Sequence, residues 1–451
     1  MINGENKFGK YFWGSVIFLH IFYFVTALIL KNIYMADSYE YLQQAFNIKN
    51  YSSFYCLDFS QPINIFFFTK RPPLYGLIIF VFKIVYNSDF IVLFFQNLLS
   101  ILNIYGLVKI LKEYDFQFDV RKIVFVFVLL FPSQFIYNNM VMSEILLQTL
   151  ILWAFYNIFY FLREKISKYI IYYNIFISLA VLTKPVLLFF WIPNLIFMLY
   201  FFIKQKNYSV LYSGLFLPVT ILSLSLYNYN VTGSFHYSSI KQMNYFGYNA
   251  SLLLVKVKGE EEGIKKIKEM RSTLDTISDF SIKMKETDRL ATEVLMENKF
   301  EYAKFHLKGM LNYFIDPGRF DLNNFLGVKE KNNSGFLYAF TKEGYKGIIN
   351  FIFNQPLYMV FYLIIIFAVN IFMFIIILIL PFIKKVSPEI KIFILGMILY
   401  MCFFSGILGT MRYKIHIYPL ILFTIPFAVE LFYDFFHKDS QRKEKIHKGN
   451  S

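Results

Sequence analysis

Apolar runs of about twenty residues recur along this chain, cut by short polar breaks, and a helix of that length crosses a bilayer core. Candidate spans fall at 11–30, 89–108, 122–138, 145–162, 169–183, 186–203, 208–227, 357–383, 390–408 and 414–436. The pattern predicts an all-α polytopic membrane protein with about ten transmembrane helices. An eleventh run, 73–87, begins "PLYGLIIFVFKIVY". Basic residues decide its place. They cluster at Lys7/Lys10, at Lys109, Lys112, Arg121 and Lys122, at Arg163, Lys165 and Lys168, and at Lys204/Lys206. Further clusters are Lys384, Lys385 and Lys391 and the tail "HKDSQRKEKIHK". With ten spans every cluster falls on one side, as the positive-inside rule requires, whereas an eleventh span would set the N-terminus against the later loops. The 73–87 run is therefore expected as an interfacial helix, opened by Pro72-Pro73 and interrupted by Lys83.

Both termini then face the cytoplasm, and the long polar segments 31–88 and 228–356 lie outside. The expected organisation is an N-terminal transmembrane module over 1–227 carrying the external loop 31–88, then an external (periplasmic) domain over 228–356. Transmembrane helices over 357–436 and a basic cytoplasmic tail over 437–451 complete it. Within 228–356, "VKVKGEEEGIKKIKEMRSTLD" is charged at helical spacing and reads as a solvated helix. "TDRLATEVLMENKFEYAKFHLKGMLNYF" reads as an amphipathic helix packed on the membrane domain, ended by a turn at "FIDPGRFD". In "LTKPVL" Pro185 breaks the helix with Lys184 at the turn, and Pro132 marks the outer end of the third span.

Composition agrees with the pattern. The chain is 57% hydrophobic and 17% charged, against roughly 45–50% and about 25% in soluble domains. The first run is too long for a signal-peptide core and lacks a small-x-small site, so it is expected to be retained. Cys56 and Cys402 are too few for a disulfide framework. The formal charge of +15 is taken up by the basic loops, so no nucleic-acid partner is expected. No Walker A pattern and no zinc-spaced Cys/His set occurs, which disfavours ATP-driven transport within this chain. Phe-, Ile-, Lys- and Asn-heavy usage fits an AT-rich genome and favours a bacterial inner membrane.

Ionisable residues at the span borders carry the candidate chemistry. Asp37 and Glu40 follow the first span in "ADSYEYLQQA", and Arg71 stands in "TKRPPLYG". Glu144 opens the fourth span, Lys184 sits between the fifth and sixth, and Arg412-Tyr413 open the last in "GTMRYKIHIYP". In this layout all five segments emerge at the outer boundary. Each residue alone has a structural reading. Asp37 could cap a helix over 38–46 with Glu40 completing a capping box. Arg71 and Arg412 could snorkel to headgroups. Glu144 could be a first-turn acid favoured by the helix dipole. Their coincidence on one face points instead to a functional site. A carboxylate can take a proton from an attacking hydroxyl, while cations hold a lipid phosphate and stabilise its leaving charge.

These residues resemble the polytopic GT-C glycosyltransferases, the group that includes protein O-mannosyltransferases and the lipid A aminoarabinose transferase. "ADSYEYLQQA" is similar to the family's first-loop Asp-x-x-x-Tyr stretch, and "KRPPLYGLIIFVF" to its Arg-Pro-Pro-x-Tyr segment. "LFPSQFIYNNMVMSEILL" resembles its Pro…Ser-Glu segment and "LAVLTKPVLLFFWIPNLI" its Leu-Thr-Lys/Arg-Pro segment. "NYNVTGSFHYSS…YFGYNAS" and "MRYKIHIYPLILF" resemble its later loop and Arg-Tyr-Arg-x-Pro-x-x-Pro elements. Gly76 departs from the pattern where a proline is common, and Ser38 replaces an acidic residue beside the first aspartate.

The resemblance implies inverting transfer of a sugar from a polyprenyl-phosphate donor to a hydroxyl on lipid A, a glycan or a protein. Asp37 would be the catalytic carboxylate, Glu144 and Glu40 the further acidic positions, and Arg71, Lys184, Arg412 and Tyr413 the phosphate and donor site. Some relatives bind a divalent metal. Here His236 and His416 could bind a divalent metal, but without clear ligand spacing none is assigned, and satisfied or solvated histidines are the competing reading. Two other classes stay open: a lipid-glycan flippase, which would favour polar residues across the bilayer depth whereas these spans are nearly free of interior charge, His20 being an isolated exception, and a non-catalytic polysaccharide-assembly protein.

Overall fold

The computed structural model describes residues 2–328, 346–347 and 349–449. The stretch 329–345 of the expected external domain lies outside the described residues. Those described form helices and no strand. Eight helices are long and apolar enough to cross a membrane: Gly9–Leu30, Asp89–Leu111, Glu144–Glu164, Pro185–Gln205, Tyr208–Thr232, Leu357–Phe382, Pro388–Leu408 and Met411–Asp434. The chain is a multi-pass integral membrane protein.

The third expected span is not a straight helix. Val120–Leu129 and Pro132–Asn138 meet at 69°. Pro132 supplies no N–H and pushes the preceding residue out of the α region, and the Phe131 backbone duly lies outside it. The seven-residue second piece is almost wholly buried, so the bend folds it into the bundle. Ser167–Thr183 has 17 residues, about 25 Å of helix, and packs along Glu144–Glu164. Pro73–Val85 has 13 residues, about 20 Å, too short to cross a core alone. Lys83 does not interrupt it; the ammonium pairs with Asp89 at 2.6 Å just beyond its end.

Burial grades the spans. Of the most apolar stretch of each helix, 83% is buried in Glu144–Glu164 and 78% in Met411–Asp434, against 17% in the first span. These two central helices begin at the same end of the bundle. The basic loops gather at the other end, tied by Arg163–Glu113 at 2.7 Å, Lys204–Glu389 at 2.7 Å and Lys385–Glu430 at 2.9 Å.

The polar segment after 228 differs from its sequence reading in two places. The charged stretch is two helices, Ser251–Lys258 and Glu260–Asp275, broken at Gly259, whose φ is positive. It is not solvated all round, because Ile267, Met270 and Leu274 form a buried stripe against Leu253, Leu290 and Val294. The amphipathic stretch also divides at Asn298, into Phe280–Glu297 and Lys299–Ile315. The second of these returns to the spans. At Gly309 its backbone lies against Gly406, Ile407 and Gly409 so closely that no Cβ would fit.

Candidate functional site

Asp37 sits in the first turn of the helix Ala36–Tyr51 but is not its cap. Met35 holds the cap position in an extended conformation, and its N–H donates to Ser38 Oγ at 2.8 Å. Ser38 thus closes the helix start, and both carboxylates of the supposed capping box point elsewhere. Asp37, Glu40, Tyr41 and Gln44 follow the i, i+3, i+4, i+7 rule and share a face. Arg71 meets that face with both arms. Its Nη2 lies 2.7 Å from Asp37 Oδ1 and its Nε 2.6 Å from Glu40 Oε2, while its guanidinium stands 5.1 Å from the centre of the Tyr41 ring. Lys70 Nζ takes the other Glu40 oxygen at 2.5 Å. Gln44 Nε2 donates to the Arg71 carbonyl at 3.1 Å. Gly76 makes room for that amide, since a Cβ there would overlap Gln44 Oε1.

The second half of the cluster comes from the central helices. Glu144 opens Glu144–Glu164 with no exposed side-chain surface, and its Oε1 accepts from Lys184 Nζ at 2.7 Å and from Arg412 Nε. Lys184 has an extended backbone, because Pro185 forbids helix there. Its ammonium also reaches His416 Nε2 at 3.3 Å. Arg412 completes the circuit, with Nη2 on Asp37 Oδ2. The result is one continuous run, Lys70–Glu40–Arg71–Asp37–Arg412–Glu144–Lys184–His416, in which four cations face three carboxylates. Asp37 and Arg412 are its most exposed members, at 22% and 23%, and form the mouth; Glu144 is the floor. Tyr413 is half-buried beside the mouth, its ring centre 6.0 Å from the Arg412 guanidinium.

The five segments singled out from the sequence therefore meet in one place. Arg71 and Arg412 do not snorkel; both are bound to Asp37. Lys70, Tyr41 and Gln44 were missed, although the helical face of Asp37 and Glu40 already carried two of them and Lys70 adjoins Arg71. Burial alone would raise the Asp37 carboxyl, but the charges of Arg412 and Arg71, with Lys184 behind, outweigh it and hold the group well below the usual carboxylate range. A further acid, Asp321 in the helix Arg319–Leu326, is pushed up to about 7, first by burial and then by neighbouring Asp316.

A divalent metal does not fit the donors present. His236 has both ring nitrogens engaged, with Ser234 O at 2.8 Å and Thr69 Oγ1 at 2.7 Å. His416 faces an ammonium, and the carboxylates already hold cationic side chains. Among the described residues no group of three His, Cys, Asp or Glu could hold a metal ion. Cys56 and Cys402 are both free and buried. No protein-family model and no curated protein matches this chain.

Proposed function

We propose that the chain is a GT-C-type membrane glycosyltransferase. In this reading it moves a sugar from a polyprenyl-phosphate donor to a hydroxyl of a lipid, glycan or protein, on the outer face of a bacterial inner membrane. One observation carries it: a carboxylate at the mouth of a largely buried ion cluster, held between two guanidinium groups, with a buried ammonium behind. A donor phosphate arriving at the mouth competes with Asp37 for Arg412 and Arg71, whose forks suit phosphate. As they turn to the phosphate, Asp37 loses the charges that depress its basicity and becomes a better proton acceptor. The acceptor oxygen then bonds to the sugar's anomeric carbon as the bond from that carbon to the phosphate oxygen breaks. The hydroxyl proton passes to Asp37, and the polyprenyl phosphate leaves with its added charge held by Arg412, Arg71 and Lys184. Glu40 and Glu144 hold these cations in place, and the arrangement inverts the anomeric centre.

A transport reading gains no observation of its own. A neutral polar group within the spans, around Ser100, Asn103, Gln134 and Gln148, lines a cavity of about 10 Å³, the room of a single water. The deciding experiment uses purified full-length protein, a labelled polyprenyl-phosphate sugar and extracted membrane acceptors. Asp37→Asn is expected to lower transfer by about 10²–10⁴-fold, the contribution of a positioned general base, while the protein still assembles. Transfer at the parent rate by that variant would remove Asp37 from the mechanism, and no transfer by the parent from any such donor would remove the reading itself.

A further inference from the structure

Arg412 can bridge Asp37 and Glu144 only if its backbone is held still, because four side-chain torsions separate the fork from the main chain. The short helix that carries it, Met411–Lys414, begins at Thr410, which makes no side-chain cap bond. The first N–H groups of any helix lack partners within the helix. Here the Met411 N–H donates to Asp316 Oδ2 at 2.6 Å, from the turn that ends Lys299–Ile315. Asp316 Oδ1 accepts from the Gly318 N–H at 3.2 Å, so both oxygens serve backbone groups and none is spent on Arg412 itself. Gly318 sits in the left-handed region, which a glycine enters without a Cβ penalty, and so turns the chain sharply enough to present that N–H.

The turn is in turn fastened to the spans. Tyr362 OH donates to Pro317 O at 2.8 Å, and Asn370 Nδ2 to Asp316 O at 2.9 Å. Lys414 Nζ reaches back to Phe314 O at 2.9 Å and Asn370 Oδ1 at 2.8 Å. One turn earlier, Asn312 Nδ2 donates to Gly409 O at 2.5 Å, next to the glycine crossing. The stretch 409–414 thus takes its backbone support from Lys299–Ile315 and its terminal turn.

We infer that Asp316 is a positioning residue for Arg412: it caps the helix start in trans, so that the end of Lys299–Ile315 sets where the guanidinium stands between Asp37 and Glu144. Asp316 touches neither reactant. It would act on phosphate binding through Arg412, and only that arm of the inference rests on the glycosyltransferase reading.

A double-mutant cycle tests it. Binding of undecaprenyl monophosphate to the purified full-length protein is measured for the parent, Asp316→Asn, Arg412→Gln and the double variant. Asp316→Asn is expected to weaken binding about tenfold, the loss of one charge-assisted hydrogen bond. In the Arg412→Gln background the same change should cost less than about twofold, since the group it positions is gone. Equal losses in both backgrounds would overturn the inference. Tyr362→Phe, which loosens the turn from behind, gives a second cycle should Asp316→Asn fail to assemble, with the same two outcomes. Glu389→Gln, at the opposite end of the bundle, should lower the unfolding midpoint while leaving affinity unchanged; an equal loss of affinity there would mark the Asp316 effect as general loosening. If the parent does not bind the lipid phosphate, the glycosyltransferase reading fails, and the cycle is read on unfolding midpoints. A midpoint shift for Asp316→Asn that shrinks without Arg412 sustains the clamp, and an unchanged shift refutes it.

Discussion

The cluster's two acids at mouth and floor should fail in opposite ways. Glu144→Gln keeps one oxygen but removes the charge that neutralises two cations. Its side chain is fully buried, and Lys184, 10% exposed, has no other carboxylate within ion-pair distance among the described residues. Stripping a buried ion of its only counter-charge costs about 3–5 kcal/mol. Asp37→Asn strands nothing completely: Arg71 keeps Glu40, Arg412 keeps Glu144, and water reaches the 22%-exposed position. Its cost should be about 1–2 kcal/mol, that of weakened charge-assisted hydrogen bonds. Against a total stability of roughly 5–15 kcal/mol, Glu144→Gln should lower yield and unfolding midpoint sharply while Asp37→Asn stays folded and inactive. Thermal unfolding of the detergent-solubilised variants reads the difference. Adding Lys184→Met to Glu144→Gln removes the stranded ammonium and should recover part of the lost midpoint, though not activity. If Glu144→Gln proves no costlier than Asp37→Asn, or Lys184→Met recovers nothing, the assignment of Glu144 as the buried counter-ion is wrong.

Gly309→Ala would drive a methyl into the Gly406 carbonyl and the Ile407 backbone, so it should cost at least about 1–3 kcal/mol and lower activity along with the unfolding midpoint. Asp321 gives a pH signature. Its carboxyl is raised from 3.8 to about 7 on folding, so the folded state binds more protons in that window and stability falls as pH rises through it. Asp321→Asn should flatten that limb in midpoints recorded across the window. Asp37 works the other way: its carboxyl is held low in the folded state, so its stabilisation is present above the ordinary carboxylate range and is lost as pH falls below it.

Run length made the apolar helices legible, because a bilayer core admits only backbone that satisfies its own polar groups, and the basic loops do gather at one end of the bundle, as their spacing required. Pro132 was legible as a break but not as a bend, since its effect depends on whether the next residues find a buried place; "PSQFIYN" does. The capping box at Asp37 failed for a local reason: Met35 is already extended, the helix starts two residues earlier, and Ser38 rather than Glu40 falls at the reach-back position. Asn298 split one apolar stripe without changing its period, so periodicity alone could not see it. The buried stripe Ile267–Met270–Leu274 was written at helical spacing and was hidden by the many charges around it. Which carboxylate meets which cation was not legible at all, because the pairs join segments far apart in the chain.

The same limit hid a layer beneath the charges. Gln148 lies one turn below Glu144, and Ile415 lies three residues beyond Arg412. Gln148 Nε2 donates to Ile415 O at 2.6 Å and to Gln134 Oε1 at 2.8 Å, and its Oε1 accepts from Asn103 Nδ2 at 3.1 Å and Gln134 Nε2 at 2.9 Å. Ser100 then links Gln134 at 3.0 Å to His20 at 2.9 Å in the first span. The two central helices are thus pinned twice: by charge at the mouth, and one turn deeper by neutral amides, which hold where an ion would be far costlier. Gln148→Leu would leave the amide oxygen of Gln134 and the Ile415 carbonyl short of a donor, at about 1–3 kcal/mol for a buried unsatisfied group. If this layer fixes the spacing of Glu144 and Arg412, Gln148→Leu should lower transfer beyond what its loss of stability explains when assayed well below its midpoint. Gln148→Glu should fare worse, because it sets a second acid below Glu144 without restoring the donated bond to Ile415. Full activity in Gln148→Leu at reduced stability would show that the charges hold their own geometry and that the amides serve folding alone.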